Sequence, residues 1–274
     1  MMDKNALQIY DRIVLEPLQI PPFSRLYSLT PIGIATPFSE SISSYLTRLA
    51  EAHCVTLKKL VMAEIAPLVM GEEYHSAMAS KSACAIFGNS DAKPAINGMK
   101  DKTKTLVDVL EKLTLQENLQ HLSCLTYQGT IKERSLFRQH KAWCPKCFEQ
   151  RAVENKPLYE PLLWSFKDAN YCSEHNYQLI DSCPHCNSTQ KAIPNHSRIG
   201  YCDRCKRWLG NDFNNEVEIA EKERQVITGI GELIATSPNL DSPPTLPDMI
   251  QKLKTFDHQT SIMTAKAIPG GLPS

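Results

Sequence analysis

No apolar run in this 274-residue sequence approaches the roughly 20 residues that a membrane-spanning helix needs, so a helical span is not expected. A charge imbalance is missing as well: 30 basic and 30 acidic side chains leave bulk electrostatics with no partner to nominate. Catalytic signatures are also absent, with no P-loop, no Gly-x-Ser-x-Gly elbow and no His-Glu-x-x-His helix. The acidic residues are spread evenly and no pair asks for a catalytic role, so neither an enzyme nor a small-molecule substrate is expected. No repeat recurs at a solenoid period. The first 15 residues place Asp3, Lys4, Asp11 and Arg12 among apolar residues, which breaks the apolar stretch of a secretory leader and sets the expectation of a reducing cytoplasm.

What is present is a globular composition, 42% apolar and 22% charged, with a length that suits about two domains. Ten cysteines are the feature left to explain. Cys144, Cys147, Cys172, Cys183, Cys186, Cys202 and Cys205 crowd into 62 residues. Cys54, Cys84 and Cys124 stand alone and read as small buried apolar side chains.

The charge, balanced overall, is not balanced by segment. Residues 1–129 carry 12 basic and 13 acidic side chains, residues 130–210 carry 13 and 8, and residues 211–274 carry 5 and 9. The cysteine-rich segment is the basic one, although ligand thiolates around bound zinc would reduce its excess to about +2.

Residues 1–37 hold Pro17, Pro21, Pro22, Pro31 and Pro37 and read as an extended arm, yet Ile13, Leu18, Phe23, Leu26 and Tyr27 are too apolar for a solvated tail. The arm is expected to pack on its own domain or on a partner. Residues 38–130 read as a helical domain. Ile42, Tyr45, Leu46, Leu49 and Ala50 recur at helical spacing, and a second helix starts behind the cap Thr56 with a stripe through Leu57, Leu60, Val61 and Ile65. Two short helices across a tight turn suggest a helix-turn-helix, with Cys54 where a turn glycine is usual. Residues 71–100 read as a long connection, followed by helices through Leu106, Val109, Leu110 and Leu113 and through Leu115, Leu119 and Leu122. After a zinc-binding region at 131–210, helices are expected within 211–256, from Glu216 to Ala235 and from Leu246 to Phe256. A disordered tail is expected at 257–274. The predicted fold class is therefore mainly α with small zinc-ribbon or zinc-finger modules.

Four donor pairs stand in order: Cys144-Pro-Lys-Cys147, Cys172-Ser-Glu-His175, Cys183-Pro-His-Cys186 and Cys202-Asp-Arg-Cys205. Two residues between donors let one tight turn aim both at a single tetrahedral ion, and thiolate with imidazole suits zinc. Sequential pairing gives a Cys₃His site and a Cys₄ site; a cross-braced arrangement would join the first pair to the third and the second to the fourth. Either way two Zn²⁺ ions are expected, each closed by four protein donors and therefore structural. His185, inside the third pair, is an alternative donor that reads more simply as a neutral, solvent-facing side chain. Lys58 and Lys59 oppose the dipole at the start of the second helix, where helix-turn-helix proteins meet nucleic acid. With Arg48, Arg204, Lys206 and Arg207 they are the candidate nucleic-acid contacts.

The stretch Pro37-Phe-Ser-Glu40-Ser41-Ile-Ser43-Ser-Tyr-Leu-Thr-Arg48-Leu49-Ala50 resembles the opening motif of the TniQ family, the target-selection proteins of Tn7-like transposons. Ala142-Trp-Cys-Pro-Lys-Cys147, Tyr159-Glu-Pro-Leu-Leu-Trp164, Tyr171-Cys-Ser-Glu-His175, Cys183-Pro-His-Cys186 and Gly200-Tyr-Cys-Asp-Arg-Cys-Lys-Arg-Trp-Leu-Gly210 are similar to its zinc region, in the same order. The resemblance spans about residues 25–210 and implies a helix-turn-helix domain, zinc modules with sequential pairing, and no catalytic centre. It also implies partners: an AAA+ transposition ATPase of the TnsC type, and a CRISPR effector with guide RNA or target DNA, with homodimerisation left open. Longer members of the TnsD type carry further DNA-reading domains after the zinc modules. Only residues 211–274 follow here, which favours a CRISPR-dependent adaptor over an autonomous site reader. A zinc-ribbon transcription regulator and a purely structural scaffold are the rival readings.

Overall fold

The computed structural model describes residues 23–71, 95–131, 133, 135–193, 198–211 and 217–240. The expectations for residues 1–22, for Cys84, for the Leu246–Phe256 helix and for the tail lie outside the described residues. Among those described the chain is mostly helical, and its two-residue strands β1 (Tyr171–Cys172) and β2 (Tyr177–Gln178) form one small antiparallel ladder.

Helix α1 (Ile42–Ala52) begins where the Ser41 hydroxyl accepts the Ser44 N–H at 3.2 Å. Its apolar stripe, Ile42, Tyr45, Leu46, Leu49 and Ala50, is buried. The turn into α2 (Leu57–Leu60) passes through Cys54 at φ +54°, the left-handed conformation a glycine would adopt more readily. Cys54 is exposed there, which corrects the expectation of a buried apolar cysteine; Cys124 is buried as expected. Thr56 caps α2 by accepting from Lys59 N–H. The helix then widens into a π-helical turn (Val61–Ile65) before α3 (Ala66–Met70). Pro67 supplies the cause: it has no N–H to donate, and its ring would strike the Ala63 carbonyl in a regular α-helix.

Helix α4 (Asp101–Thr114) buries Leu106, Leu110 and Leu113 against this group and ends at Leu115, φ +53°. The predicted helix through Leu115, Leu119 and Leu122 shrinks to one 3₁₀ turn (Leu119–Leu122). The left-handed Leu115 breaks the helical path, and the Glu111 carboxylate takes the Leu119 N–H at 2.9 Å. The described part of the arm folds back on the same lobe. Leu26 is buried in its core and donates its N–H to Leu113 O at 2.9 Å, while Leu29 O accepts from the Tyr45 hydroxyl at 2.9 Å.

A second core surrounds the cysteines, with Trp143, Phe148, Trp164, Leu179, Ile199 and Leu209. A third joins Cys124, Tyr127, Leu162, Leu163 and Phe166 to Ile227 and Ile234 of the helix Glu221–Thr236. That helix starts later than the expected Glu216.

The helical lobe and the cysteine lobe meet on the polar face of α1. Glu40, just ahead of the helix and fully buried, receives Arg48 Nη1 at 2.6 Å and the Ser44 hydroxyl at 2.9 Å. The Ser44 oxygen accepts Glu160 N–H at 3.0 Å, and Leu162 N–H donates to Ser39 O at 2.7 Å. Three turns along, Glu51 accepts the Ile199 N–H at 2.9 Å. Burial pushes the Glu40 carboxyl up to about 7 against the opposing pull of Arg48 and Ser44.

Candidate metal centres

The first donor pair is built on a helix. Cys144 is the N-cap residue of α5 (Pro145–Val153), Pro145 occupies the first helical position, and Cys147 lies in the first turn. Both sulfurs therefore sit at the positive end of the helix dipole, which favours thiolates. The second pair is built on a hairpin: Cys172 ends β1, His175 follows in the turn, and Asn176 at φ +47° reverses the chain so that Tyr171 pairs with Gln178. These two pairs converge. Cys147 Sγ lies 3.5 Å from Cys172 Sγ, and His175 Nδ1 lies 3.7, 3.2 and 3.6 Å from the sulfurs of Cys144, Cys147 and Cys172.

The second group is two more copies of that hairpin. Cys183 to Cys186 is followed by Asn187 at φ +57°, with Ser182 bridged to Thr189; Cys202 to Cys205 is followed by Lys206 at φ +60°, with Tyr201 bridged to Trp208. In each of the three hairpins the residue before the first donor pairs with the residue six places after that donor. Cys183 Sγ and Cys205 Sγ stand 3.7 Å apart, as do those of Cys186 and Cys202. Within each group all four donor atoms lie within 4.8 Å of one another. The pairing is thus sequential, and the cross-braced alternative is overturned.

The donor sets fit zinc. A tetrahedral ion with Zn–S of about 2.3 Å and Zn–N of about 2.0–2.1 Å places sulfurs about 3.8 Å apart and nitrogen about 3.6 Å from sulfur. The separations above have that size. Bonds among the sulfurs of Cys144, Cys147 and Cys172 hold Cys144 down to about 4 and, with burial, push Cys147 up. Burial pushes Cys183 up to about 12; at Cys202 burial also raises the thiol, but the Cys205 and Arg204 N–H groups and the Ser188 hydroxyl outweigh it and hold it down to about 6. Four donor atoms brought this close repel one another as thiolates, and a divalent cation accepts all of them at once.

Several supporting residues carry no sequence signal of their own. Gln150 lies one helical turn beyond Cys147, and its Oε1 meets His175 Nε2 at 2.9 Å, which fixes the ring with Nδ1 toward the sulfurs. Ser188 and Gln190 reach the second group, with Gln190 Nε2 3.4 Å from Cys202 Sγ. His185 stands outside both groups, its Nε2 3.1 Å from Trp208 O. The Trp208 ring lies where a Cβ at Gly200 or Gly210 would collide at 2.4 or 2.5 Å, and its Nε1–H donates to Glu149 of α5 at 2.7 Å.

The basic candidates fall in three places. Arg48 is spent on buried Glu40 between the lobes and is not displayed on an open face. Lys58 and Lys59 lie in the first turn of α2, half-buried and exposed respectively. Arg204, Lys206 and Arg207 are exposed on the third hairpin, where Lys206 is paired with Asp203.

The family model described as TniQ matches residues 31–179, more than half of the sequence. The chain belongs to the TniQ family. No curated protein matches it. The TniQ match takes in the α1 face, the helical lobe and the first metal group, and stops before Cys183, so the second group lies beyond it. Membership implies a target-selection protein of Tn7-like transposition. Among the described residues no helix is long and apolar enough to cross a membrane.

Proposed function

We propose that this TniQ protein is a non-catalytic targeting adaptor that couples an RNA-guided CRISPR effector to the AAA+ regulator of a Tn7-like transposon, with two structural zinc ions holding its second lobe. The observation that carries the reading is the TniQ match over residues 31–179. The donor sets support it: each would close its ion with four protein ligands, leaving no position for water or substrate. The cavity lined by Ser41, Asn97, Arg138, Lys141 and Trp164 is about 20 Å³, room for a water and not for a substrate. Reconstituted insertion at a programmed site, with and without the full zinc-loaded chain, is the test. Loss of targeted insertion on omission supports the adaptor role; equal insertion without it refutes the role.

A second reading, direct selection of a DNA site in the TnsD manner, is favoured by the cluster of Arg204, Lys206 and Arg207 on the third hairpin. Binding of one duplex sequence well above others, without any guide RNA, would select it over the adaptor.

A further inference from the structure

At the turn between α1 and α2 the Tyr27 ring lies on the His53 ring, centroids 4.3 Å apart and planes 23° from parallel. The stack is built in: Tyr27 N–H donates to His53 Nε2 at 2.9 Å, and the neighbouring Leu26 is buried in the helical core. Tyr27 is nevertheless 56% exposed, and Phe23 on the same segment 85%. An aromatic left this open costs solvation that a core position would recover, and one pinned against a histidine has lost its rotamer freedom before any partner arrives.

Basic residues flank the stack along the sequence, with Lys58 and Lys59 five and six residues beyond His53. Arg25, between the two aromatics, is exposed and paired with Glu64 at 2.5 Å, while Lys58 and Lys59 open the helix that leaves the turn and form no ion pair among the described residues. Flat aromatic faces at a turn, with cations without an ion pair opening the next helix, match unpaired bases followed by phosphates along a strand. A duplex, whose bases are already stacked on one another, offers no such face. The Tyr27 hydroxyl, with no hydrogen-bond partner among the described residues, supplies a group that can meet a ribose 2′-hydroxyl.

We propose that the Tyr27–His53 stack, with Phe23 and the Lys58–Lys59 pair, is a base-stacking platform for an unpaired stretch of RNA. The inference rests on the adaptor reading, since a protein that works beside an RNA-guided complex meets exposed guide nucleotides.

The test is fluorescence anisotropy of the full zinc-loaded chain with a labelled 20-nucleotide oligouridine, the matching oligothymidine and an RNA duplex. Tyr27→Ala should weaken oligouridine binding by about 5- to 150-fold, the loss of one stacked base, while zinc content and melting temperature stay unchanged. Tyr27→Phe should keep the stacking affinity and narrow the preference for RNA over DNA. Lys58→Ala with Lys59→Ala should reduce the salt slope by about 1.4. Unchanged oligouridine affinity in Tyr27→Ala, or equal binding of oligothymidine by the wild type, overturns the proposal. So does a Tyr27→Ala protein that binds RNA normally yet no longer retains the transposition ATPase, which would mark the patch as a protein contact and leave the adaptor role standing.

Discussion

The two metal groups use the same chemistry on different supports. In the first, one donor pair belongs to the nine-residue helix α5 and only the other to a hairpin; in the second, both pairs belong to hairpins with no helix beneath them. A helix end retains backbone hydrogen bonds and a favourable dipole without an ion, whereas a four-residue turn holding two thiols has little else to define it. The groups also grip α1 at opposite ends. Residues 160–162, on the first group's side, dock at Glu40 and Ser44, and the run leading to Cys202 docks at Glu51. Between the second group's hairpins, Ile193 is buried in the helical core. A local ion site thus becomes a lobe-to-lobe fastening.

The largest effect expected from breaking this contrast comes from losing the second ion. A structural zinc is worth on the order of 10 kcal/mol, and bound at the second group it would act as folding energy. Cys202→Ser should lose one zinc equivalent per chain by metal analysis and open residues 182–209 to protease, while far-UV circular dichroism keeps the helical signal. Cys144→Ser should lose one equivalent too, but with α5 still protected in hydrogen exchange; equal exposure of both regions would erase the distinction between the supports.

Next in size is the α1 interface. Arg48→Ala removes the partner of buried Glu40 and should cost about 1–3 kcal/mol in denaturant unfolding, more above pH 7, where the carboxylate is charged, than at pH 5, where it carries a proton. Glu40 gives the matching pH dependence. Its folded value of about 7 lies above the ordinary 4.5, so the folded state holds the extra proton between those values. Stability from this group is complete below about 4.5 and is lost as the pH rises through about 7. Glu40→Gln lacks this titration, so its melting temperature should gain on the wild type from pH 5 to pH 7.5; a constant gap would contradict the assignment. Using the difference between two proteins cancels the acid loss of zinc common to both.

A smaller effect sharpens the contrast from the first group's side. Gln150→Ala frees the His175 ring and should weaken zinc at that group by about 10- to 100-fold in a chelator competition, with the second group unmoved. The smallest concerns the hairpins. Their left-handed position is Asn176, Asn187 and Lys206, and asparagine tolerates it better than lysine. Lys206→Asn should therefore raise stability by about 0.5–1 kcal/mol, less what the Asp203 pairing contributes, read as a small increase in melting temperature.

Sequence periodicity located α1, its buried stripe and the start of α2 behind Thr56, because those features depend on neighbours three and four residues apart. The eight donors were legible for a similar reason, as spacing across one turn. Spacing alone left their pairing open, since loops of such length close either way, and it was the family resemblance that implied the sequential order found. Arg48 shows a deeper limit: a polar face pressed against another lobe has the same pattern as one facing water, so a cation that neutralises buried Glu40 read as a nucleic-acid contact. Leu115, Leu119 and Leu122 keep helical spacing too, but a left-handed residue at Leu115 ends the helix, and nothing in the leucine pattern announces it. Cys54 misled in the other direction, its residue type suggesting burial and its backbone placing it at a turn.

Trp208 gives the molecule an optical gauge. Its indole occupies the space between Gly200 and Gly210 on the third hairpin, yet its N–H is held by Glu149 on the helix that carries the first donor pair. Spreading the hairpin from that helix would release the indole N–H to water and shift its emission to the red. Of the three tryptophans in the chain, Trp143 and Trp164 are buried in the cysteine-lobe core, so the wavelength change would originate at the seam between the two metal centres. The colour of emitted light would then report, in real time and without a label, whether that seam is shut.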